Sequence, residues 1–327
     1  MAEEKAMVIG LGDWGSRVAR EYLMLADEGV LSKLYLAEKI HDKMERFIGG
    51  NRELVQKLLK EGKLELEEKD VAEIPAESLK GIDVAHVCVN NAEHYRIAKH
   101  LLSNNVNVLV EKPVSEKIEE VEELAELARQ RKLVIKTGLI FRFDNSIKKI
   151  RELYQAGAFG KVYLIKFTWE FFREPMEGVD IVWDLMPHLI DMYYFITGGS
   201  AEYVTGMKSR FRRKDKAELA HIVMKNGAEG IFNISWFATS KNRIIEIFGE
   251  KKLLRADILA QSITMYDSKD MARSEQVAVV RNNTIRDEAL NLIEDSKVGV
   301  NKINDVDTGL DELKVIHKMN RELIDLD

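Results

Sequence analysis

Three titratable residues stand in patterns that suit proton transfer. Lys112 lies in a Glu-Lys-Pro segment, Glu111 to Pro113, directly after the apolar run at residues 106–110. Asp184 and His188 are four residues apart, and such positions share one face of a helix. An acid beside a histidine can orient the imidazole ring and tune its pKa. Each signal alone is weak, because single lysines are commonly solvated and Asp/His pairs are commonly structural.

A glycine-rich segment near the start of the chain predicts a dinucleotide site. Gly10, Gly12 and Gly15 match the pattern G-x-G-x-x-G, with Asp13 and Trp14 before the last glycine. The first glycine permits a tight turn, the second lets the backbone approach a pyrophosphate, and the third allows close helix–strand packing. A predicted strand precedes the segment and a helical pattern follows it. The free N–H groups of that helix N-terminus would face the anion.

Two charged residues bear on which dinucleotide binds. Glu38 ends the second predicted strand, 23 residues after Gly15. An acid there can accept hydrogen bonds from the ribose hydroxyls and repel a 2′-phosphate, which favours NAD. Lys39 is adjacent and could attract that phosphate, so NADP stays open. The alternative for both residues is a solvated strand end.

Asn90 and His94 follow a further apolar run, residues 84–89. Ligands of doubly wound sheets bind beyond the carboxyl ends of strands, so both residues are candidates for cofactor binding. His94 could equally cap the following helix. Cys88, the one cysteine, lies inside the run and is interpreted as a buried strand residue without a reactive role.

The composition excludes several classes of function. The chain has 327 residues, 46% of them hydrophobic, which is enough for a sizeable core. A net charge of −6 disfavours binding to a nucleic-acid backbone. There is neither a Cys/His cluster typical of a metal site nor an apolar stretch of membrane-spanning length. We therefore expect a cytoplasmic protein without a bound metal, a membrane anchor or a nucleic-acid partner.

The order of predicted elements indicates two domains. In residues 1–138, short apolar runs alternate with helical patterns, which predicts an α/β, doubly wound parallel sheet of Rossmann type. In residues 139–327 the predicted helices 144–156 and 183–196 precede several longer strands between 202 and 280, and two helices, 284–296 and 307–326, end the chain. This half is predicted to be an α+β domain with a mostly antiparallel open sheet. Pro187 predicts that the second of these helices begins near it.

These motifs in this order resemble the Gfo/Idh/MocA oxidoreductase family, and the similarity covers nearly the whole chain. Its markers are the glycine segment, the Asn-Ala-Glu-His of residues 91–94, Glu-Lys-Pro, and the D-x-x-x-H-x-x-D pattern from Asp184 to Asp191. Arg142, between Phe141 and Phe143, matches the segment that opens the family's second domain. The chain departs from many members in the stretch before Asp184, which is not glycine-rich.

The resemblance implies an NAD(P)-dependent dehydrogenase acting on a sugar hydroxyl. Lys112 would contact the reacting hydroxyl, His188 would be the general base, and Asp184 would orient these groups or bind substrate. Glu111 would belong to the cofactor site and Arg142 to the substrate site. The second domain would bind substrate on one side of its sheet and another subunit on the other, giving a homodimer or homotetramer.

The segments around His188 and at residues 235–243 look most like the family members that act on nucleotide sugars. In that comparison Lys241 and Arg243 are candidate contacts for a diphosphate or a sugar, and the alternative is an exposed basic strand end. An inositol or polyol dehydrogenase is a second possibility, because a cyclitol offers the same secondary alcohol. A third is a catalytically silent NAD-binding sensor, although the joint presence of Lys112, Asp184 and His188 argues against it.

Overall fold

A computed structural model describes residues 4–174, 180–199, 203–212, 217–301 and 303–326. The chain divides into two compact units. The first consists of Met1–Ile140 and Asn283–Leu310, and the second of Phe141–Asn282 and Asp311–Asp327. This division differs from a single break after residue 138, because the chain returns to the first unit near its end.

The secondary structure consists of strands β1 to β15 and helices α1 to α10. The strands are β1 Lys5–Ile9, β2 Lys33–Ala37, β3 Leu64–Glu67, β4 Val84–Val87, β5 Asn107–Glu111, β6 Ile135–Gly138, β7 Val162–Glu170, β8 Tyr203–Ser209, β9 Leu219–Asn226, β10 Ala228–Ser235, β11 Asn242–Gly249, β12 Lys252–Asp257, β13 Ser262–Asp267, β14 Ser274–Val277 and β15 Leu323–Leu326. The helices are α1 Asp13–Asp27, α2 His41–Gly50, α3 Arg52–Lys60, α4 Ala76–Leu79, α5 Asn91–Ser103, α6 Ile118–Arg131, α7 Asn145–Gln155, α8 Ile181–Thr197, α9 Thr284–Val298 and α10 Val306–Glu322.

The first unit contains a six-stranded sheet in the order β3-β2-β1-β4-β5-β6, and every pair in it is parallel. The prediction of a doubly wound parallel sheet is therefore confirmed. The strand order reverses between β1 and β4, and in such sheets ligands bind beyond the carboxyl ends of the strands at this point. Strand β3 carries the short Leu-Glu-Leu-Glu sequence and was not among the predicted strands.

Apolar periodicity explains how α1 is held on this sheet. Its buried residues Val18, Tyr22 and Leu25 recur at helical spacing and belong to one core with Val8 and Leu36 of the strands. Helix α9, more than 250 positions further along the chain, adds Leu292 to the same core. The glycine segment between β1 and α1 is therefore held at both ends by packed elements.

A buried lysine ties α9 to the sheet. Lys136 on β6 is fully buried, and its Nζ donates to Asp295 Oδ2 at 2.6 Å and to Asn291 Oδ1 at 2.8 Å, both on α9. It also donates to Asn304 Oδ1 at 3.2 Å, and the Asn304 amide in turn donates to Glu288 at 3.0 Å. Burial lowers the pKa of Lys136, and the carboxylate of Asp295 opposes that shift. A buried charge of this kind is tolerated only when it is paired and hydrogen-bonded.

The second unit contains a nine-stranded sheet in the order β14-β13-β12-β11-β7-β10-β9-β8-β15. It is mostly antiparallel, as predicted, and within the described ranges the parallel pairs are β10–β7 and β15–β8. The Asn-Gly turn predicted at 226–227 joins β9 to β10, and Gly227 has a φ of +73°. Alternate residues of β7, namely Ile165, Phe167 and Trp169, are buried, as expected for a strand with one covered face.

Two details of the second unit correct the sequence predictions. Helix α8 begins at Ile181 rather than near Pro187, because the side chain of Asp180 caps it by accepting from Val182 N at 2.9 Å. Pro187 lies inside the helix. The last predicted helix ends at Glu322, and residues 323–326 instead form β15 on the edge of the sheet.

Among the residues that the structure describes, no helix has the length and apolar character needed to cross a lipid bilayer.

Candidate active site

The three glycines of the segment that leads from β1 into α1 have different surroundings. Gly10 has a φ of +90°, and a Cβ there would lie 2.7 Å from the carbonyl oxygen of Cys88. A Cβ on Gly15 would lie 1.9 Å from Gly10 O, so this position permits only glycine. A Cβ on Gly12 would meet no heavy atom within 4 Å. The protein itself therefore does not require glycine at position 12, whereas a ligand approaching the backbone there would.

The start of α1 offers backbone N–H groups to an anion. Gly12 is the N-cap residue, and among the residues that the structure describes no side chain caps the helix. Such an N-terminus carries uncompensated donors and the positive end of the helix dipole. Asp13 is exposed in the first turn. The open space at Gly12 and the uncapped helix together fit the pyrophosphate of a dinucleotide.

A cavity adjoins this helix start at the carboxyl ends of the parallel strands. Five of the residues predicted to bind the cofactor line it. They are Gly10, Gly12, Glu38, Lys39 and Asn90. The structure thus brings together predicted residues from three separate loops of the first unit.

Glu38 holds two of these loops together. It is 5% exposed, its Oε2 accepts from Leu11 N at 2.7 Å, and its Oε1 accepts from Ile40 N at 2.9 Å. Each carboxylate oxygen has a second lone pair that a ribose hydroxyl can use. Glu38 therefore fixes the glycine segment to the loop after β2, in addition to any contact with a ligand.

Several charged residues on the cavity wall were not predicted from the sequence. Lys43 and Lys69 line it, together with Asp70. Asp70 accepts from Arg96 Nη2 at 2.7 Å and lies 3.7 Å from Lys39 Nζ. Lys69 and Asp70 follow β3, the strand that the sequence pattern did not reveal, whereas Lys43 lies in the first turn of α2.

Glu111 at the end of β5 is linked to the glycine segment through Trp14. Its Oε1 accepts from Trp14 Nε1 at 2.5 Å and lies 3.2 Å from His86 Nε2. His86, Cys88 and Glu111 each carry one atom of a type that can bind a metal ion, and these three atoms lie within 4.8 Å of one another. Burial raises the pKa of the Cys88 thiol, so it stays protonated at neutral pH. This agrees with the interpretation of Cys88 as an unreactive buried residue.

Lys112 is half-buried, and the peptide bond between Lys112 and Pro113 is cis. His94 supports this segment from α5. Its Nδ1 lies 2.7 Å from Pro113 O and its Nε2 lies 3.0 Å from Val89 O. It is 1% exposed, and burial lowers its pKa. His94 thus contacts the backbone of the Glu-Lys-Pro segment and is not on the wall of the cavity.

In the second unit, His188 lies in an aromatic setting. Its ring is stacked parallel to that of Trp169, with centroids 5.8 Å apart, and Phe141 meets it edge-on at 5.1 Å. The guanidinium of Arg243 lies 4.1 Å from the centroid of Trp169. These contacts fix the plane of the imidazole, and His188 remains half-buried. The sequence marks Phe141 only as part of the segment that opens the second domain, and Trp169 only through the alternation of β7.

Asp184 lies one turn before His188 on α8, as the spacing predicts. Its Oδ2 accepts from Arg173 Nη1 at 2.9 Å. Lys241 is exposed, immediately before β11. Asp184, His188 and Arg243 therefore lie in one region of the second unit, joined by Arg173 and Trp169.

Arg142 is engaged in a buried acid cluster. Its Nε donates to Asp191 Oδ1 at 2.6 Å, and Arg142 is 13% exposed at its side chain. Asp191 is also hydrogen-bonded to Glu312 of α10. Burial raises the pKa of both carboxyl groups. Asp191 and Glu312 together therefore keep a proton at pH values at which a solvated carboxyl group has lost its own.

The Gly12→Ala variant tests the glycine segment. Since the added methyl group meets nothing, we expect an unchanged melting temperature but a dissociation constant for the dinucleotide that is about tenfold higher or more. Gly15→Ala is the matched opposite case and should lower the melting temperature. Calorimetric titration and thermal unfolding measure the two effects. Unchanged affinity in Gly12→Ala would contradict binding at this helix start.

The Glu312→Gln variant tests the acid cluster. Because the folded-state pKa of Glu312 lies above its unfolded value, the native state holds more protons and stability falls as pH rises through the interval between the two values. Glutamine mimics the protonated acid, so the melting temperature of the variant should decline less than that of the wild type between about pH 5 and pH 8. Glu322→Gln, exposed on the same helix, is the control. If the melting temperatures of the wild type and of Glu312→Gln decline equally over this pH range, Asp191 and Glu312 do not hold the extra proton.

Two family models match the chain. Residues 5–139 match the oxidoreductase family with an NAD-binding Rossmann fold, whose model is named GFO_IDH_MocA. Residues 147–255 match the GFO/IDH/MocA C-terminal domain. These ranges contain the glycine segment, Glu-Lys-Pro and His188.

Characterised relatives are similar at low identity. The chain is 26% identical over 190 residues to UDP-N-acetylglucosamine 3-dehydrogenase of Acidithiobacillus ferrooxidans, covering 58% of this chain and 59% of that protein. It is 26% identical over 263 residues to myo-inositol 2-dehydrogenase of Thermotoga maritima, covering 76% and 74%. A solved structure of the Acidithiobacillus enzyme superposes with a TM-score of 0.81 at 20% identity, covering 99% of this chain and 98% of that one. At that identity the superposition shows the fold alone.

Proposed function

The chain belongs to the Gfo/Idh/MocA family of NAD-binding oxidoreductases, and on that premise we propose that it transfers a hydride between nicotinamide and a secondary hydroxyl of a sugar. The observation that carries the proposal is the joint presence of an open, uncapped helix start beside a cavity in the first unit and an oriented Asp184/His188 pair in the second. A protein that only binds the dinucleotide would need the helix start and the cavity but not the Asp184/His188 pair.

The first unit supplies the cofactor site in this proposal. Gly12 and the first turn of α1 hold the pyrophosphate, and Glu38 accepts from the ribose hydroxyls, which favours NAD over NADP. The nicotinamide supplies the hydride acceptor or donor when bound. Lys112, presented by the Glu-Lys-Pro segment that His94 supports, stabilises the negative charge that develops on the substrate oxygen.

The second unit supplies the base. As hydride leaves a carbon, the proton of its hydroxyl must leave too, and an imidazole nitrogen of His188 takes it. In the reverse direction His188 returns the proton to the oxygen. The ring plane set by Trp169 and Phe141 holds the imidazole in one orientation, and Asp184 orients substrate hydroxyls one turn away.

For the substrate we propose a nucleotide sugar. The relative that acts on UDP-N-acetylglucosamine and the basic residues Lys241 and Arg243 at the start of β11 support this choice. Arg173, beside Asp184, adds a third cation to the same unit. Diphosphates are commonly held by such guanidinium and ammonium groups.

A substrate screen tests the proposal. Purified protein with NAD, and separately with NADP, is given UDP-N-acetylglucosamine, free pyranoses and myo-inositol, and reduced nicotinamide is followed by absorbance. We expect the highest kcat/KM with the nucleotide sugar and NAD. Clear inositol oxidation without activity on the nucleotide sugar would instead establish a cyclitol dehydrogenase, the alternative favoured by the longer match to the Thermotoga maritima enzyme.

We also propose a homo-oligomer formed through the nine-stranded sheet. Its outward-facing residues include Leu164 and Ile231 near the centre of the sheet, and both are only half-buried in the single chain. Apolar side chains in the middle of a sheet face suit burial against a second copy. Light scattering at several protein concentrations measures the molar mass of the particle in solution and thus the number of chains in it.

A further inference from the structure

Three phenylalanines with exposed rings gather around one arginine in the second unit. Phe172 is 62% exposed, Phe211 is 61% exposed and Phe237 is 37% exposed. Phe211 and Phe237 meet edge to face with centroids 5.0 Å apart. The guanidinium of Arg212 lies 4.4 Å from the centroid of Phe237 and 5.8 Å from that of Phe172. We call these four residues the phenylalanine platform.

The platform is held in place by a buried acid. Glu218 is fully buried, and its Oε1 accepts from Arg212 Nε at 3.0 Å. Its Oε2 accepts from the backbone N of Arg212 at 2.7 Å and from that of Phe211 at 3.2 Å. A carboxylate removed from water in this way needs all of these donors. The arginine and the phenylalanine beside it are therefore fixed before any ligand arrives.

A shallow, open trough adjoins the platform. Phe172 and Phe237 form its aromatic wall, and Thr239, Ser240 and Asn242 supply polar groups. The amide of Asn242 offers both a donor and an acceptor. An aromatic face beside such groups suits a flat ring with hydrogen-bonding edges, because stacking binds the face while the polar groups bind the edge.

The platform is linked to the helix that carries His188. Arg212 Nη2 donates to the carbonyl oxygen of Arg173 at 2.9 Å, and the side chain of Arg173 donates to Asp184 at 2.9 Å. Asp184 is one turn from His188. A ligand that spans from the platform to the base would pass Arg173, whose charge suits a phosphate.

From this arrangement we infer that the platform binds the nucleobase of a nucleotide-sugar substrate, with the ring stacked on Phe172 and Phe237 and its edge facing Asn242. The inference rests on the proposed function for the presence of such a substrate. It adds to that function where the nucleobase binds and which residues select it.

A second copy of the chain is the competing occupant, and its requirements differ. The three rings expose roughly 300 Å² of aromatic surface, since a phenylalanine buries about 150–250 Å² when covered completely. Stable protein interfaces bury about 800 Å² on each partner. The platform alone is too small for such an interface, whereas a single base covers an area of this order.

Binding of UDP measured by calorimetry tests the inference. The protein is first saturated with NAD, so that the first unit's cavity cannot take the nucleotide. We expect UDP and uridine to bind and ribose 5-phosphate, which lacks the base, to bind far more weakly. Phe237→Ala and Phe172→Ala should each raise the dissociation constant for UDP about fivefold or more. Phe237→Trp, which keeps an aromatic face, should restore binding.

Tyr163→Ala is the matched control, because Tyr163 is 54% exposed on β7 but lies at the other end of that strand. Arg212 is left intact, since its loss would leave the buried carboxylate of Glu218 without its guanidinium partner. Equal affinity of wild type and both phenylalanine variants would overturn the inference. So would a change of molar mass in these variants with UDP affinity unchanged, which would assign the platform to contact between copies.

The two proposals fail in different ways. Oxidation of a sugar or polyol by a protein that does not bind UDP would reject the base site and leave the dehydrogenase. Binding of UDP that Phe237→Ala removes, in a protein that oxidises no sugar, would support the base site and reject the dehydrogenase.

Discussion

Replacing His188 by alanine should lower kcat by roughly two to four orders of magnitude, the range expected for loss of a general base. The affinity for NAD should stay unchanged, since the cavity and the glycine segment belong to the first unit and His188 to the second. Steady-state kinetics with the best substrate of the screen gives kcat, and calorimetry gives the affinity.

His221→Ala is the control for this variant. His221 is exposed on β9 and lies 2.7 Å from Asn233, away from the aromatic contacts of His188. It should retain full turnover. Turnover that survives in His188→Ala would remove this imidazole from the mechanism, while a joint fall in NAD affinity would point to misfolding rather than chemistry.

Replacing Lys136 by methionine should destabilise the first unit by about 3–5 kcal/mol, because the Asp295 carboxylate would lose its buried ammonium partner. For a unit of this size the melting temperature should fall by roughly 10 °C. Differential scanning calorimetry measures it, and Lys60→Met, an exposed lysine at the end of α3, should leave it nearly unchanged.

A double variant separates charge from packing. In Lys136→Met combined with Asp295→Leu, both members of the ion pair are gone, so much of the lost stability should return, although Asn291 and Asn304 each lose the donor that Lys136 supplied. If the double variant is as unstable as Lys136→Met alone, the hydrogen bonds to Asn291 and Asn304 matter more than the ion pair.

Local patterns predicted the first unit well. The glycine segment, the apolar runs and the helical stretches each depend on neighbouring residues, so the parallel sheet followed from their order. Strand β3 was missed because four residues, two of them glutamate, carry too little apolar signal. The cavity residue Lys69 follows this strand and was missed with it, and no local pattern marks Lys43 on α2.

The candidate site shows the same limit. The spacing of Asp184 and His188 was sufficient to place them on one helix face. Their partners Arg173, Trp169 and Phe141 come from other elements, and such contacts are set by tertiary packing alone. Likewise, Pro187 alone predicts a helix start near itself, whereas the cap at Asp180, seven residues earlier, decides where α8 begins.

The pairing of Lys136 with Asp295 has a consequence for the nascent chain. The ribosome releases β6 long before α9, and residues 141–282 must emerge in between. Until then the ammonium of Lys136 has no carboxylate from α9 as a partner, so the core of the first unit cannot be completed when its last strand, β6, has been made. Protein released by an early stop codon after residue 140 would carry this unmet charge inside its sheet, and cellular proteases should remove it quickly.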